Sequence, residues 1–421
     1  MNKVIARQLR QIDWDFPFHR NGFLTGLHWY PGTFPSPLPA SLIEALSQHN
    51  DTVLDPFCGI GTAPSEAIRL GRACVGVEMN PIGYLVSYVA IGLSLLLKKD
   101  PEYLRYIEHN VRTHLSLEKH GQTLFTNFGI SAVTSGEIDQ WLESKLSPPP
   151  QAVLSEIRKP RWDLLAPWFD PDTIAKIQVI VHAINEIDSV FVRLCAYTMI
   201  SDRLRALSSQ NKSWGHIADN VLPKKSEIRS KDPAKACLMW LRQLEQRTGQ
   251  IACQGPMPRR KSYLVRHDWS SGKNPVELGR IPSIEVLVTS PPYSNAIDYS
   301  KAQRLSLFLM GFSEEDISRL VKTEIGARAK RFRPDSTDQW EHALGDALVT
   351  LIDSIKSLQH IVLVLPCRDL TRDPTVNTLL KRLETSGHTK EMIIERSINQ
   401  LRTRQSWTSI SREIIAIFAR K

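Results

Sequence analysis

The sequence predicts an α/β chain: an open, largely parallel sheet interrupted by a mainly helical insertion. Three observations predict it. Residues 51–78, "DTVLDPFCGIGTAPSEAIRLGRACVGVE", run through a strand, a glycine turn, a helix and a second strand, the order of a nucleotide-type βαβ unit. Two later runs, "IEVLVTS" at 284–290 and "HIVLVLPCRDL" at 360–370, are apolar at successive positions, as strands covered on both faces are. Between these blocks, "FDPDTIAKIQVIVHAINEI" at 169–187 places its apolar side chains at helical spacing, and residues 98–261 are taken as a mainly helical insertion. A chain of 421 residues has room for such a sheet and a second unit.

Each element has its local reason. Val53 and Leu54 start the first strand, Ala63 to Leu70 form the helix, and Ala73 to Val77 form the second strand. Ile82 to Leu97, "IGYLVSYVAIGLSLLL", is the longest apolar stretch. It falls short of the roughly 20 residues of a membrane span and reads as a buried helix. The N-terminal "MNKVIARQLRQIDWDF" has no signal-peptide core, so a soluble, cytoplasmic protein with no membrane partner is expected. "SPPP" at 147–150 marks a linker. In "FDPDTIAKIQVIVHAINEI", Asp170 stands as an N-cap and Pro171 at the first helical position, with Ile174, Ile177, Val181, Ile184 and Ile187 at helical spacing. "VFVRLCAYTMISDRLRAL" continues it after a break. Tyr263 to Arg266 reads as a strand, Ala302 to Leu309 as a helix, and 390–398 and 411–421 as two closing strands. The organisation is therefore residues 1–97 and 262–421 as two parts of one sheet domain, with 98–261 inserted.

Composition narrows the function. A formal charge of +9 suits a polyanionic partner and says nothing about fold. The cysteines at 58, 74, 195, 237, 253 and 367 form no CxxC pair, which argues against a zinc site or a disulfide framework.

The glycine turn points to a cofactor. Gly59 and Gly61 permit close backbone approach, and Glu78 ends the second strand where such folds place an acid to accept from ribose hydroxyls. Neither GxGxxG nor GxxxxGK[ST] is present, and Asp55 ahead of the turn would repel phosphate while accepting an ammonium group. S-adenosylmethionine, with an amine, a sulfonium and no phosphate, fits these residues better than a dinucleotide or ATP.

At "TSPPYSNAIDYS", 289–300, Pro291 and Pro292 end a strand abruptly, since neither has an N–H for the ladder, and leave nearby carbonyls without sheet partners. Strand tips in open α/β sheets are where ligands sit.

"DPFCGIGT", "VGVEMNP" and "TSPPY" together resemble the DNA amino-methyltransferases, which methylate cytosine N4 or adenine N6. The resemblance covers about residues 15–95 and 262–421. It implies a Rossmann-like methyltransferase sheet of seven strands with the last antiparallel, and S-adenosyl-L-methionine as cofactor. It implies that Asp55, Phe57, Gly59, Gly61 and Thr62 line the methionine end and that Glu78 holds the ribose. It also matches His28, Tyr30, Phe34 and Pro35 to the segment packed over the methionine moiety, and Asp268 to the acid that contacts the adenine amino group. The glycine loop before SPPY is similar to the alpha order of these enzymes, although the insertion falls ahead of Asp268, earlier than their recognition domain. Serine at the first SPPY position resembles the cytosine-N4 group more often.

That resemblance implies a transfer to the amine of a flipped base in double-stranded DNA. Ser290 Oγ and the Pro291 carbonyl would accept the amine hydrogens, Pro292 would hold the corner rigid, and Tyr293 would stack on the base. Asn295 and Asp298 either orient this loop or contact the base. Transfer would be direct, without a covalent enzyme intermediate or a metal.

The charge is uneven: Ser201 to Ser262 holds thirteen Lys/Arg against five Asp/Glu. Lys212, Lys224 and Lys225 there, and Arg328, Lys330 and Arg331 in "GARAKRFRPD", are the candidate phosphate contacts. A cognate restriction or defence protein would be the further partner. Three other readings stay open: adenine-N6 transfer, guanosine-N2 transfer on RNA, and a non-catalytic nucleic-acid binder of the same fold. Cys367 in "LPC" invites comparison with cytosine-C5 enzymes, but it follows a later strand than SPPY and reads as a buried structural thiol.

Overall fold

The computed structural model describes residues 3–16, 24, 26–33, 35–117, 135–209, 221–249, 254–367, 373–398 and 412–421. Its centre is one eight-stranded sheet. The strands are β1 (Thr52–Asp55), β2 (Ala73–Glu78), β3 (Leu146–Ser147), β4 (Ser262–Arg266), β5 (Val286–Thr289), β6 (His360–Pro366), β7 (His388–Ser397) and β8 (Arg412–Arg420). Their spatial order is β3-β4-β2-β1-β5-β6-β8-β7. Pairings from β3 through β6 are parallel, and β8 runs antiparallel to both β6 and β7. These are the seven predicted strands with the last antiparallel, plus one at the edge. That edge strand is two residues long, too short to leave a period in the sequence, and exists because Leu146 and Ser147 pair with Ser262 and Tyr263.

The chain winds outward from β1 through β2 to β4 and resumes on the other side of β1 with β5 and β6. The carboxyl ends of β1 and β5 therefore flank a switch point, where open α/β sheets form a ligand crevice. Alternation along the strands divides the core. Val286 and Val288 of β5 join one buried cluster while Leu287 between them joins the other. All three are fully buried, each contributing roughly 1.5–3 kcal/mol.

The helix expected at Ile82 to Leu97 is Pro81–Lys99, capped by Asn80, whose Oδ1 accepts from Ile82 N at 2.9 Å. By length and composition it could cross a membrane, yet 89% of its apolar window is buried within the protein. The Asp170 cap is as read, accepting from Asp172 N at the start of Pro171–Asn185. The next helix, Val190–Leu207, begins at Ser189. The helix expected at Ala302 to Leu309 is broken: Tyr299–Ala302 and Arg304–Leu309 are separated by Gln303, whose amide Nε2 donates to the Trp29 carbonyl at 2.9 Å.

Helices of 98–261 pack into the sheet's own core. Phe191 is fully buried against Tyr88, ring centroids 6.4 Å apart, and over Gly92, where a Cβ would lie 2.3 Å from its ring. Tyr88 Oη donates to Pro148 O, Trp240 Nε1 to Leu27 O, and Arg266 of β4 pairs with Glu156. The opposite face is covered by Ser336–Ser354 and Pro374–Thr385.

Candidate active site

The turn after β1 and the end of β2 are joined directly. Gly59 and Gly61 have φ of +55° and +79°, and a Cβ on Gly61 would sit 3.1 Å from the Ser87 backbone, so both positions need glycine. Gly59 N donates to Glu78 Oε2 at 2.8 Å, and Asn80 N donates to Glu78 Oε1 at 2.7 Å. Thr62 opens the helix that follows.

A cavity opens at this point. Of the residues singled out from sequence, Tyr30, Phe57, Gly59, Thr62, Glu78, Asp268, Ser290 and Pro292 line it. The glycine turn, the acid after β2, the acid after β4 and the SPPY corner thus share one space. Asp268 also caps its own turn, accepting from Ser270 N at 2.9 Å. Asp55, Gly61, Pro291 and Tyr293 are not among the cavity's lining residues. Asp55 Oδ1 accepts from Thr289 Oγ1 at 2.6 Å and from Phe57 N at 3.1 Å, tying β1 to β5. Its Oδ2 is buried without a hydrogen-bond partner among the described residues. His28 is buried against Trp29 and Ser306, and Pro35 is half-buried. Phe34, Lys212 and Cys253 lie outside the described residues.

Burial shapes the charge. Desolvation raises the Glu78 carboxyl to about 8 against the pull of its two amide donors, and raises Asp55 to about 7. Glu324, also in the cavity wall, is raised to about 7 by the same cause.

Sequence reasoning passed over Glu324, Tyr299 and Trp269. Glu324 accepts from Ser300 N at 2.8 Å, Ser300 Oγ at 2.5 Å and Tyr299 N at 3.1 Å. It ends the helix Glu314–Thr323, where an acid opposes the dipole, and that misplaced charge was the available signal. Tyr299 stacks on Tyr30 at 5.6 Å and 26°. Trp269 follows the acid after β4, packs beside Phe57 and donates to Pro56 O at 2.7 Å.

The SPPY corner is held by a chain of hydrogen bonds. Arg396 pairs with Glu413 Oε2 at 2.8 Å, Tyr293 Oη donates to Glu413 Oε1 at 2.5 Å, and Ser290 Oγ donates to Tyr293 Oη at 3.4 Å. A serine hydroxyl has one proton, so a Ser290 donating to Tyr293 presents only lone pairs elsewhere. The Pro292 carbonyl accepts from Trp340 Nε1 at 2.7 Å.

The second basic run lies against this corner. Arg328 N donates to Ile297 O and Ala329 N to Asp298 Oδ1 at 2.8 Å, while Gly326 passes so close that a Cβ would meet Tyr293 O at 2.6 Å. Arg331 stacks on the exposed Phe332 ring at 4.1 Å. Charges in the first basic stretch are partly used internally: Arg203 pairs with Asp202, Arg260 with Glu285, and Lys231 donates to Ala206 O. Lys224 and Lys225 are exposed. Cys58, Cys74, Cys195 and Cys237 are buried free thiols, and Cys367 is buried.

The family model described as DNA methylase matches residues 11–84. The chain is similar to the Type II methyltransferase M.MjaII of Methanocaldococcus jannaschii, 20% identical over 390 residues, 81% of this chain and 72% of that protein. It is similar to the Type II methyltransferase M.BsoBI of Geobacillus stearothermophilus, 22% identical, across 70% of this chain but 54% of the relative. A shorter match, 36% identical over 83 residues, is to the DNA adenine methyltransferase YhdJ of Escherichia coli, 20% of this chain and 26% of that protein.

Proposed function

Taking the chain as a member of the S-adenosylmethionine-dependent N4/N6 DNA methylase family, we propose that it transfers a methyl group to the exocyclic N4 of a cytosine flipped out of double-stranded DNA. The observation that carries this reading is that Ser290 and Pro292 open into the same cavity as Phe57, Gly59 and Glu78.

The cavity suits the cofactor. Among the described residues its lining includes Glu78, Asp268 and Glu324 and neither Lys nor Arg, beside the aromatic rings of Tyr30, Phe57, Trp269 and Tyr299. Carboxylates favour an ammonium, ring faces favour a sulfonium, and none of the described lining side chains carries a positive charge for phosphate. Glu78 would take the ribose hydroxyls, and Tyr30 would cover the methionine end. When bound, S-adenosylmethionine supplies a methyl group made electrophilic by its positive sulfur.

The remaining work belongs to the chain. An exocyclic amine is a poor nucleophile because its lone pair is delocalised into the ring. Acceptors aimed at its hydrogens favour a pyramidal nitrogen whose lone pair is free to attack. Ser290 Oγ, with its proton directed to Tyr293, is one such acceptor, and the Pro291 carbonyl is the other. Pro291 and Pro292 keep these oxygens fixed, so no reorganisation is needed as the reaction occurs. Tyr293 is assigned to the base, where stacking contributes roughly 1–3 kcal/mol towards extrusion. Residues 98–261 are assigned to target recognition, with Lys224 and Lys225 on phosphates and Arg328, Lys330 and Arg331 completing the track from the SPPY side. A cognate nuclease would share the recognised site.

Incubation with methyl-labelled cofactor and separate DNA and RNA pools, followed by nucleoside analysis, tests the reading. N4-methylcytosine in DNA supports it. N6-methyladenine would move the assignment to adenine, as the YhdJ match allows, and label only in RNA would overturn it.

A further inference from the structure

Beside the donor cavity lies a second one, lined by lysines rather than acids. Among the described residues its wall includes Lys322, Lys330, Asn295, Ser336, Gln339 and Trp340, and no carboxylate. Thr323 and Ile325 belong to both cavities and form the partition between them. One side is thus built for a cation, and the other, a residue away along the chain, for an anion.

The second cavity is bonded to the catalytic corner. Trp340 donates to Pro292 O at 2.7 Å, and Asn295, held at φ +56°, donates to Ser336 Oγ at 3.0 Å. Lys330 Nζ donates to Glu324 O at 2.8 Å, which fixes its ammonium at the rim while leaving two of its three protons. Lys322 is exposed and has no ion-pair partner among the described residues. The two ammonium groups, the second Gln339 amide hydrogen and the Ser336 hydroxyl are the donors left for a phosphodiester, since Asn295 Nδ2 donates to Ser294 and Ser336, Gln339 to Asp335 and Trp340 to Pro292.

We propose that this cavity takes the backbone phosphodiester adjoining the extruded nucleotide, with Lys322 as its charged contact. The proposal rests on the methyl-transfer reading for the identity of the nucleotide. Anchoring the backbone here, and the base at Ser290 and Tyr293, holds the flipped nucleotide at both ends. Lys322 lies outside both basic runs recognised in the sequence, so its role comes from the cavity alone.

The test uses the full chain with S-adenosylhomocysteine and a 30-bp duplex of random sequence carrying one unpaired cytosine, read by fluorescence anisotropy across a salt series. Lys322→Gln is expected to weaken binding about five- to tenfold and to lower the slope of log K against log salt by about 1, while Lys322→Arg keeps the slope. A neutral methylphosphonate beside the unpaired cytosine should weaken the wild-type protein by a similar factor and add nothing to Lys322→Gln. An unchanged slope, or an equal methylphosphonate loss in both proteins, overturns the proposal. Binding does not require turnover: a wild-type protein that labels no DNA would defeat the methyl-transfer reading, while the slope still decides the cavity.

Discussion

Tyr293 Oη donates to Glu413 Oε1 at 2.5 Å, joining the corner after β5 to the start of strand β8, 120 residues further along the chain. Glu413 is itself buried and paired with Arg396. Tyr293, proposed above to stack on the base, is therefore also a clamp on the last strands.

Two substitutions separate those roles. Tyr293→Phe keeps the ring and removes the bond, leaving a buried carboxylate short of a donor, at a cost of about 1.5–3 kcal/mol by urea unfolding. It should also free the Ser290 hydroxyl and lower kcat about tenfold. Tyr293→Ala should in addition weaken binding of duplex with an unpaired base. Equal DNA affinity in the two variants would remove the stacking role.

Ser290→Ala should lower single-turnover transfer on the order of 100-fold, the scale of losing one fixed polar contact to the reacting group. Cofactor affinity by calorimetry should stay within about twofold. Unchanged transfer would take the serine out of the mechanism.

The buried acids give a pH prediction. Asp55, Glu78 and Glu324 hold protons up to about 7, 8 and 7, above the ordinary values of 3.8, 4.5 and 4.5. The folded protein thus binds more protons than the unfolded chain between about pH 4 and 8. Their contribution to stability is full below that window and is lost as pH rises through it. A cationic ligand favours the ionised carboxylates, so cofactor binding should tighten from pH 6 to 8.5 and release protons. Calorimetry in two buffers of different ionisation enthalpy reads this directly, and Glu78→Gln should flatten the profile.

Phe191 links the inserted helices to Pro81–Lys99. Phe191→Ala should cost about 3–5 kcal/mol and lower a single unfolding transition. Two separated transitions would mean that 98–261 folds apart from the sheet.

The strands and turns of the cofactor half were legible because they are local. Gly59, Gly61 and Glu78 sit at distances along the chain that the βαβ geometry sets, and continuous apolar runs named β5 and β6. The SPPY corner was legible for the same reason: two prolines stop a strand wherever they occur. Glu324 and Tyr299 were not, since each makes sense only beside the other, across 25 residues of sequence. The burial that raises the Glu78 carboxyl was equally invisible, because desolvation depends on what other segments cover the group.

Sequence by itself therefore determined the sheet, the glycine turn, the acid after β2 and the rigid corner, all products of short-range backbone preference and periodicity. Tertiary structure alone decided that these open into one cavity lined by buried carboxyl groups, that Ser290 hands its proton towards Glu413, and that a cavity lined by two lysines stands beside Thr323 and Ile325. Those arrangements depend on through-space distance between residues far apart in the chain, and no local pattern encodes it.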